Sequence, residues 1–422
     1  MITLIVLTFV VGYLLIALEH PIKINKTATA LLTGVLCWTL YIIDSQTTET
    51  VNSELSHHLG SVAEILFFLL GAMTIVELVD AHQGFRIITD RIKSRNVMTL
   101  LWLISFIAFF LSAILDNLTT SIVMVSLLRK LIKNDDMRKF FAGMVIIAAN
   151  AGGAWSPVGD VTTTMLWIGG QITTINIILK LIIPSLICLI VPLFVISLKL
   201  KGQTLEAIDE SESNQIETTA KERNLMFAFG LGALLFTPIF KTITYLPPYM
   251  GVLLGLGVVW IVGELLHHEK DEEERKPFTA AHALSRIDTS SILFFLGILL
   301  AIGVLESTHV LSDLAFRMDK TIGNQDFIVV LIGLASAIVD NVPLVAAAMG
   351  MYDLETFPTD HRIWEFLAYC AGTGGSVLII GSAAGVAVMG MEKIDFMWYL
   401  RRISLLALLG YFAGALFYVL FA

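Results

Sequence analysis

The sequence predicts an all-α polytopic membrane protein built from inverted structural repeats, and three observations carry that expectation. First, 56% of the 422 residues are hydrophobic and only 15% are charged, at a mean hydropathy of +0.81. Soluble domains run nearer roughly 45–50% apolar with about a quarter charged, so this chain has too few polar residues to clothe soluble cores. Second, apolar windows of about 17–25 residues, enough to cross a bilayer, recur from end to end. Third, three motifs return in the same order on either side of a polar linker. The expected architecture is about eleven transmembrane helices plus two re-entrant hairpins.

The apolar windows fall at 2–19, 27–43, 60–80, 140–170, 175–198, 225–240, 247–266, 288–306, 361–391 and 395–421. The first has its leading basic residue at Lys23, on the wrong side for a cleavable signal peptide, so it reads as a true span. A Glu/Ser/Thr-rich stretch from Lys201 to Arg223 and the run HHEKDEEERK from His267 read as solvated loops. These divide the chain into an extra N-terminal helix (1–26), a first repeat (27–200), a cytoplasmic linker (201–224) and a second repeat (225–422). A net charge of −9 argues against a nucleic-acid partner. Cys37, Cys188 and Cys370 are odd in number, far apart and set in apolar runs, which fits neither a disulfide framework nor metal-ligand spacing.

The repeat is legible in short motifs. ILFFLLG from Ile65 returns as ILFFLG from Ile292, and SAILDN at 112–117 as SAIVDN at 336–341. Gly152, Gly153 and Gly159 return as Gly374, Gly375 and Gly381. The offsets of 227, 224 and 222 residues keep one order, the mark of a secondary transporter built from repeats.

Charge counting sets the orientation. The stretch 97–131 spans roughly 52 Å as helix against a hydrocarbon core of about 30 Å, and carries Asp116 and Asn117 in its middle. Folded as a hairpin with that pair at its tip, it keeps the basic loops before and after it on one side. With the N-terminus outside, 22 of the 27 Lys and Arg then become cytoplasmic. Lys241, Arg317, Lys320 and Arg362 fall outside, and Lys180 snorkels from a span toward the outer interface. The second hairpin, 326–352, then enters from the opposite face, so the repeats are inverted.

Ionisable groups inside a bilayer are costly and are functional candidates. Asp116 and Asp340 sit at matching hairpin tips, each followed by an Asn placed to cap the next helix. Pro343 suits that helix's first turn, which has no use for the missing N–H. A cap alone needs no carboxylate, so two of them point to an ion site. Asp160 lies in a Gly-, Pro- and Thr-rich segment that cannot stay helical throughout. Its freed carbonyls and the hydroxyls of Ser156, Thr162 and Thr163 are hard oxygen ligands for a small cation. In the second half Ser382 stands where Asp160 would fall, and Gly372 where Asn150 would. Three carboxylates (Asp116, Asp160, Asp340) converging on one cavity would bind either a cation or protons, and that competition is exchange. Glu64, Glu77, Asp80 and Glu306 lie nearer span ends, with Glu64 the accessory candidate. Of the nine histidines, His57, His58, His267 and His268 lie in or beside loops.

SAILDNLTTSIVM, AANAGGAWSPVGDVTTTMLW and SAIVDNVPLVAA together resemble NhaD-type sodium/proton antiporters of the ion transporter superfamily, over about Ile65 to Met391. The resemblance implies exchange of Na+, and of Li+, for H+ across a bacterial cytoplasmic membrane, with no cofactor and no enzymatic activity. By the matching positions, the ion site falls to Asp116, Asn117, Thr119, Asn150, Asp160, Thr162, Thr163, Asp340 and Asn341, followed by Ser376 and Ser382. It also implies a homodimer and an elevator-like moving domain. An anion transporter of the same superfamily, coupling sodium to a dicarboxylate, is disfavoured because an Asp at each tip would repel a substrate carboxylate. An intramembrane aspartyl protease is disfavoured because Pro157 stands where the motif's first Gly belongs and no partner Tyr-Asp motif is present.

Overall fold

The structure is a computed structural model that describes residues 1–421 other than 46, 90, 91, 93, 95, 201–217 and 339, and omits the side chains of 20, 21, 89, 199 and 200. The basic residues Arg91, Lys93 and Arg95 and most of the 201–224 linker therefore lie outside the described residues. What is described is helical, with no strand among the described residues.

Eight helices there are long and apolar enough to cross a membrane, among them Lys26–Asp44, Thr48–Ala81, Thr174–Leu200, Ala220–Thr244 and Thr289–Ser307. Shorter apolar helices, such as Ile2–Ala17, Gln325–Ala335 and Asn341–Met351, accompany them. Large apolar side chains stand bare on the outside of this bundle, as at Val35 (63% exposed) and Leu179 (68%), which water would not tolerate on that scale but lipid does. The chain is a multi-pass membrane protein.

The helix breaks at both expected hairpin tips fall where the sequence places them. Val97–Leu115 turns at Asp116 into Asn117–Leu131, and Gln325–Ala335 turns before Asp340 into Asn341–Met351. Two further helices break in mid-course: Asp135–Gly153 resumes as Val161–Ile168, and Arg362–Gly374 as Ala383–Glu392. The windows 140–170 and 361–391 are thus each two helices joined by irregular chain, as the small residues dictate.

The paired glycines have one explanation in both halves. A Cβ on Gly152 would lie 2.1 Å from the Phe109 carbonyl oxygen, and one on Gly374 would lie 2.0 Å from that of Gly333. Gly159 and Gly381 abut the Ser112 and Ala337 carbonyls at 2.8 and 2.7 Å in the same way. The hydroxyls follow suit, with Ser112 Oγ donating to the Ala149 carbonyl at 2.6 Å and Ser336 Oγ to that of Ala371 at 3.1 Å. Each hairpin therefore lies backbone-to-backbone on the broken helix that follows it. Gly152→Ala is expected to cost about 1–3 kcal/mol through forced backbone displacement, read as a lower thermal midpoint in detergent. An unchanged midpoint would contradict the contact.

His57 and His58 lie inside the helix Thr48–Ala81 and not in a loop. His267 is not solvated: it is 1% exposed, stacks on Phe278 at 4.3 Å, and its Nε2 lies 2.9 Å from Nε2 of the fully buried His82. His82 Nδ1 donates to the Leu78 carbonyl at 2.7 Å, so its Nε2 must accept and His267 Nε2 must donate. The order of this corner comes from the C-termini of two long helices meeting, which no local pattern announces. Burial lowers both imidazole pKa values, that of His267 to about 4, with Lys270 and its neighbour His82 adding to the effect and Glu222 opposing it. Unfolded histidine protonates near pH 6.5, whereas the folded pair stays neutral to lower pH. Stability is therefore complete above about pH 6.5 and falls as pH drops toward about 4. His267→Phe is expected to flatten the midpoint-versus-pH curve in that window.

Candidate ion site

Helix breaks build the site by leaving side chains to satisfy orphaned backbone donors. The sequence assigns the capping role at the hairpin tips to the asparagines, and the structure gives it to the aspartates. Asp116 Oδ1 accepts from Thr119 N at 2.7 Å and its Oδ2 from Thr119 Oγ1 at 2.9 Å, while Asp340 Oδ1 accepts from Val342 N at 3.3 Å. Asp116 adopts φ 110° and ψ 163°, a conformation that favours glycine, so this turn is held under strain. The reason for the exchange of roles is register: capping by Asp leaves the next residue on the first helical turn, pointing inward.

Freed of capping, Asn117 and Asn341 reach Asp160. Asn117 Nδ2 donates to Asp160 Oδ2 at 2.7 Å and to Asn150 Oδ1 at 3.0 Å, and Asn341 Nδ2 approaches Asp160 Oδ2 at 3.5 Å. Asp160 is itself the cap of Val161–Ile168, its Oδ1 accepting from Thr162 N and Thr162 Oγ1, both at 3.0 Å. Asn150 Nδ2 donates to Ser376 Oγ at 2.9 Å and to Ser382 Oγ at 3.0 Å. Ser382 caps Ala383–Glu392 as Asp160 caps its own helix, so the two positions correspond in structure as in sequence. A Cβ at Gly372 would meet Asp160 Oδ2 at 3.9 Å, which places that glycine beside the cluster too.

The structure thus joins Asn117, Asn150, Asp160, Thr162, Asn341, Ser376 and Ser382 in one buried network. Asp116 and Asp340 stand beside this network without a hydrogen bond to it. Asp116 closes on Thr119, and Asp340 Oδ2 pairs with Lys26 Nζ at 3.1 Å. No group of three acidic, His or Cys side chains able to hold a metal is found among the described residues. Thr163 Oγ1 donates to the Asp160 carbonyl at 2.9 Å, supporting the break from beneath. Ser156 Oγ donates to the Ala113 carbonyl at 2.5 Å and serves the hairpin contact. Glu64 is half-buried on Thr48–Ala81 and supplies none of the network's hydrogen bonds. Lys26 had no signal in the sequence beyond being a basic residue at a span end. Ser112 and Ser336 were visible only as the first letters of the repeated hexapeptides.

Helical spans, two broken helices and a polar cluster buried between hairpin tips define a secondary transporter. A family described as citrate transporter (CitMHS) matches residues 13–364. Sodium/proton antiporter 1 of Arabidopsis thaliana is 52% identical over 415 residues, covering 98% of this chain and 71% of that protein. The Na(+)/H(+) antiporter NhaD of Vibrio cholerae is 32% identical over 444 residues, covering 98% and 90%. That of Alkalimonas amylolytica is 30% identical over 419 residues, covering 91% and 83%. The chain belongs to the citrate transporter family and, within it, to the NhaD-type sodium/proton antiporters, a family of transporters and not of enzymes.

Proposed function

We propose that the protein exchanges Na+ for H+ across a membrane, with Asp160 as the carboxylate for which the two ions compete. The observation that supports this is the setting of Asp160, 2% exposed and surrounded by amides and hydroxyls drawn from both halves. Six neutral oxygens on Asn117, Asn150, Thr162, Asn341, Ser376 and Ser382 are of the hard type that a desolvated alkali cation needs. Half a turn of the Asn117 amide replaces a donor to Asp160 by an oxygen facing a bound cation. A proton on Asp160 removes the charge that holds the cation, so loading one ion expels the other and the two are never carried together. Na+ and H+ are substrates here, Li+ is a third by its similar hard character, and no cofactor is called for. The relatives named as sodium/proton antiporters support the choice of ions.

The matching contacts of the two halves support the repeats 27–200 and 225–422, joined through 201–224 and preceded by the extra helix 1–26. Entry of the two hairpins from opposite faces, the outside N-terminus, the homodimer and the elevator-like motion rest on charge counting and on family resemblance. The plant relative at 52% identity leaves the bacterial cytoplasmic membrane resting on bacterial relatives at 32% and below.

The family's description keeps one other reading in play, uptake of a citrate-like anion with sodium. Everted vesicles holding a proton gradient separate the two. Added Na+ or Li+ is expected to dissipate the gradient, with no accumulation of labelled citrate. Citrate uptake without sodium-driven proton movement would replace the exchange reading with the anion one.

A further inference from the structure

We propose that Lys26 is a tethered cation that competes with the transported cation at Asp340 and thereby sets the apparent affinity for Na+. This rests on the exchange reading above and assigns a residue it does not use.

The two hairpin tips differ in how their carboxylates are satisfied. Asp116 has both carboxylate oxygens satisfied by Thr119, one through its N–H and one through its hydroxyl. The offset of 224 residues puts Pro343 in the place of Thr119, and proline offers neither donor. Asp340 is left with Val342 N at 3.3 Å on Oδ1 and needs a partner for Oδ2. Lys26 Nζ fills that place at 3.1 Å.

Lys26 is held there from outside the hairpin. It is the first residue of Lys26–Asp44, whose cap Asn25 accepts from Thr27 N at 2.8 Å. Its backbone N–H donates to Glu19 Oε1 at 3.0 Å, and its ammonium lies 4.4 Å from the centre of the Phe294 ring. Lys26–Asp44 packs along Thr289–Ser307, the helix that carries Phe294. The ammonium is therefore positioned by two helices that are not part of the hairpin it neutralises. The lysine and aspartate side chains are 23% and 13% exposed, so water screens the pair only in part.

Asp340 adjoins Asn341, which reaches Asp160 Oδ2 at 3.5 Å. A charge at 340 is thus one residue from the network, and the field at the network depends on whether Lys26 covers it. With Lys26 in place, Asp340 adds little attraction for Na+. With the lysine neutralised, a second uncompensated carboxylate faces the bound cation.

Reconstituted protein assayed at pH 9, well above ordinary carboxylate pKa values, gives opposite signs for the two partners. Lys26→Met is expected to lower KM for Na+ about fivefold, the low end of usual site-to-site coupling, with exchange retained. Lys26→Arg keeps the charge and the wild-type KM. Asp340→Asn strands the ammonium, raises KM by a similar factor, and is relieved when Lys26→Met is added. A merely structural pair predicts lower maximal rates, unchanged KM and no relief in the double variant. Wild-type exchange with an unchanged KM in Lys26→Met overturns the role of Lys26 alone. Should that variant not accumulate, a wild-type KM in Asp340→Asn overturns it equally. No sodium exchange by the wild type overturns both readings.

Discussion

Asp160→Asn is expected to abolish sodium-driven proton movement while leaving the protein folded in the membrane. Asparagine is as good a helix cap as aspartate, so its side-chain oxygen can still accept from Thr162 N, now 3.0 Å from Asp160 Oδ1. The second oxygen is what the substitution destroys. It becomes an amide N–H2 opposed to Asn117 Nδ2 at 2.7 Å and Asn341 Nδ2 at 3.5 Å, donor against donor. No rotation of the new amide by itself satisfies both ends, because its one oxygen cannot serve Thr162 and Asn117 at once. More directly, a neutral amide offers no charge to a desolvated cation and no site for the exchanged proton. Removing one member of a buried charge pair costs about 3–5 kcal/mol, so the expected loss exceeds about a hundredfold. The check is Na+-induced dissipation of a proton gradient in everted vesicles, normalised to the amount of inserted protein. Exchange within a few-fold of wild type would remove Asp160 from the centre of the mechanism. Asp116→Asn provides a contrast. Its oxygens serve Thr119 within one turn and make no hydrogen bond to the network, so its effect should be the smaller of the two.

Much of this arrangement was legible in the sequence, for a physical reason. A bilayer leaves backbone no partner but itself, so every helix break must be written in Gly, Pro and capping residues. The breaks near Asp116, Asp160, Asp340 and Ser382 were all marked in that way. Shared motifs then bring the two halves into register and align Ser382 with Asp160. What stayed hidden depends on direction and distance. Whether Asp or Asn caps a tip turns on a one-residue shift of the helix start, which composition does not encode. The pairing of Lys26 with Asp340 spans 314 residues, and the stacking of His267 on Phe278 requires the HHEKDEEERK run to fold back over its own helix end. The same holds for Glu392, an ordinary residue at a span end when read in line.

Glu392→Ala is expected to lower the stability of the fold while leaving the ion site intact. Glu392 ends Ala383–Glu392, where the helix dipole disfavours a carboxylate, and its side chain is only 1% exposed. Two arginines make that position tenable. Arg129 Nε donates to Oε1 at 2.7 Å and Arg138 Nε to Oε2 at 2.6 Å, and Arg129 also donates to the Met391 carbonyl. Arg129 closes Asn117–Leu131, the second arm of the first hairpin, and Arg138 opens Asp135–Gly153. One carboxylate therefore ties the first hairpin and the first broken helix to the second broken helix, about 20 Å from Asn117 by helical rise. Alanine leaves Arg129, itself 48% exposed, without its counter-charge and Arg138 with Asp135 alone at 2.7 Å, a cost of about 1.5–3 kcal/mol, read as a fall of a few degrees in the thermal midpoint. Glu392→Gln should fare little better, since it keeps the shape and loses the charge. Replacing all three residues by apolar ones of similar volume should recover most of the loss, because desolvation is then no longer imposed on any charge. If Glu392→Ala lowered the Na+ affinity and left the midpoint unchanged, the staple would belong to the transport cycle and not to the frame that carries it.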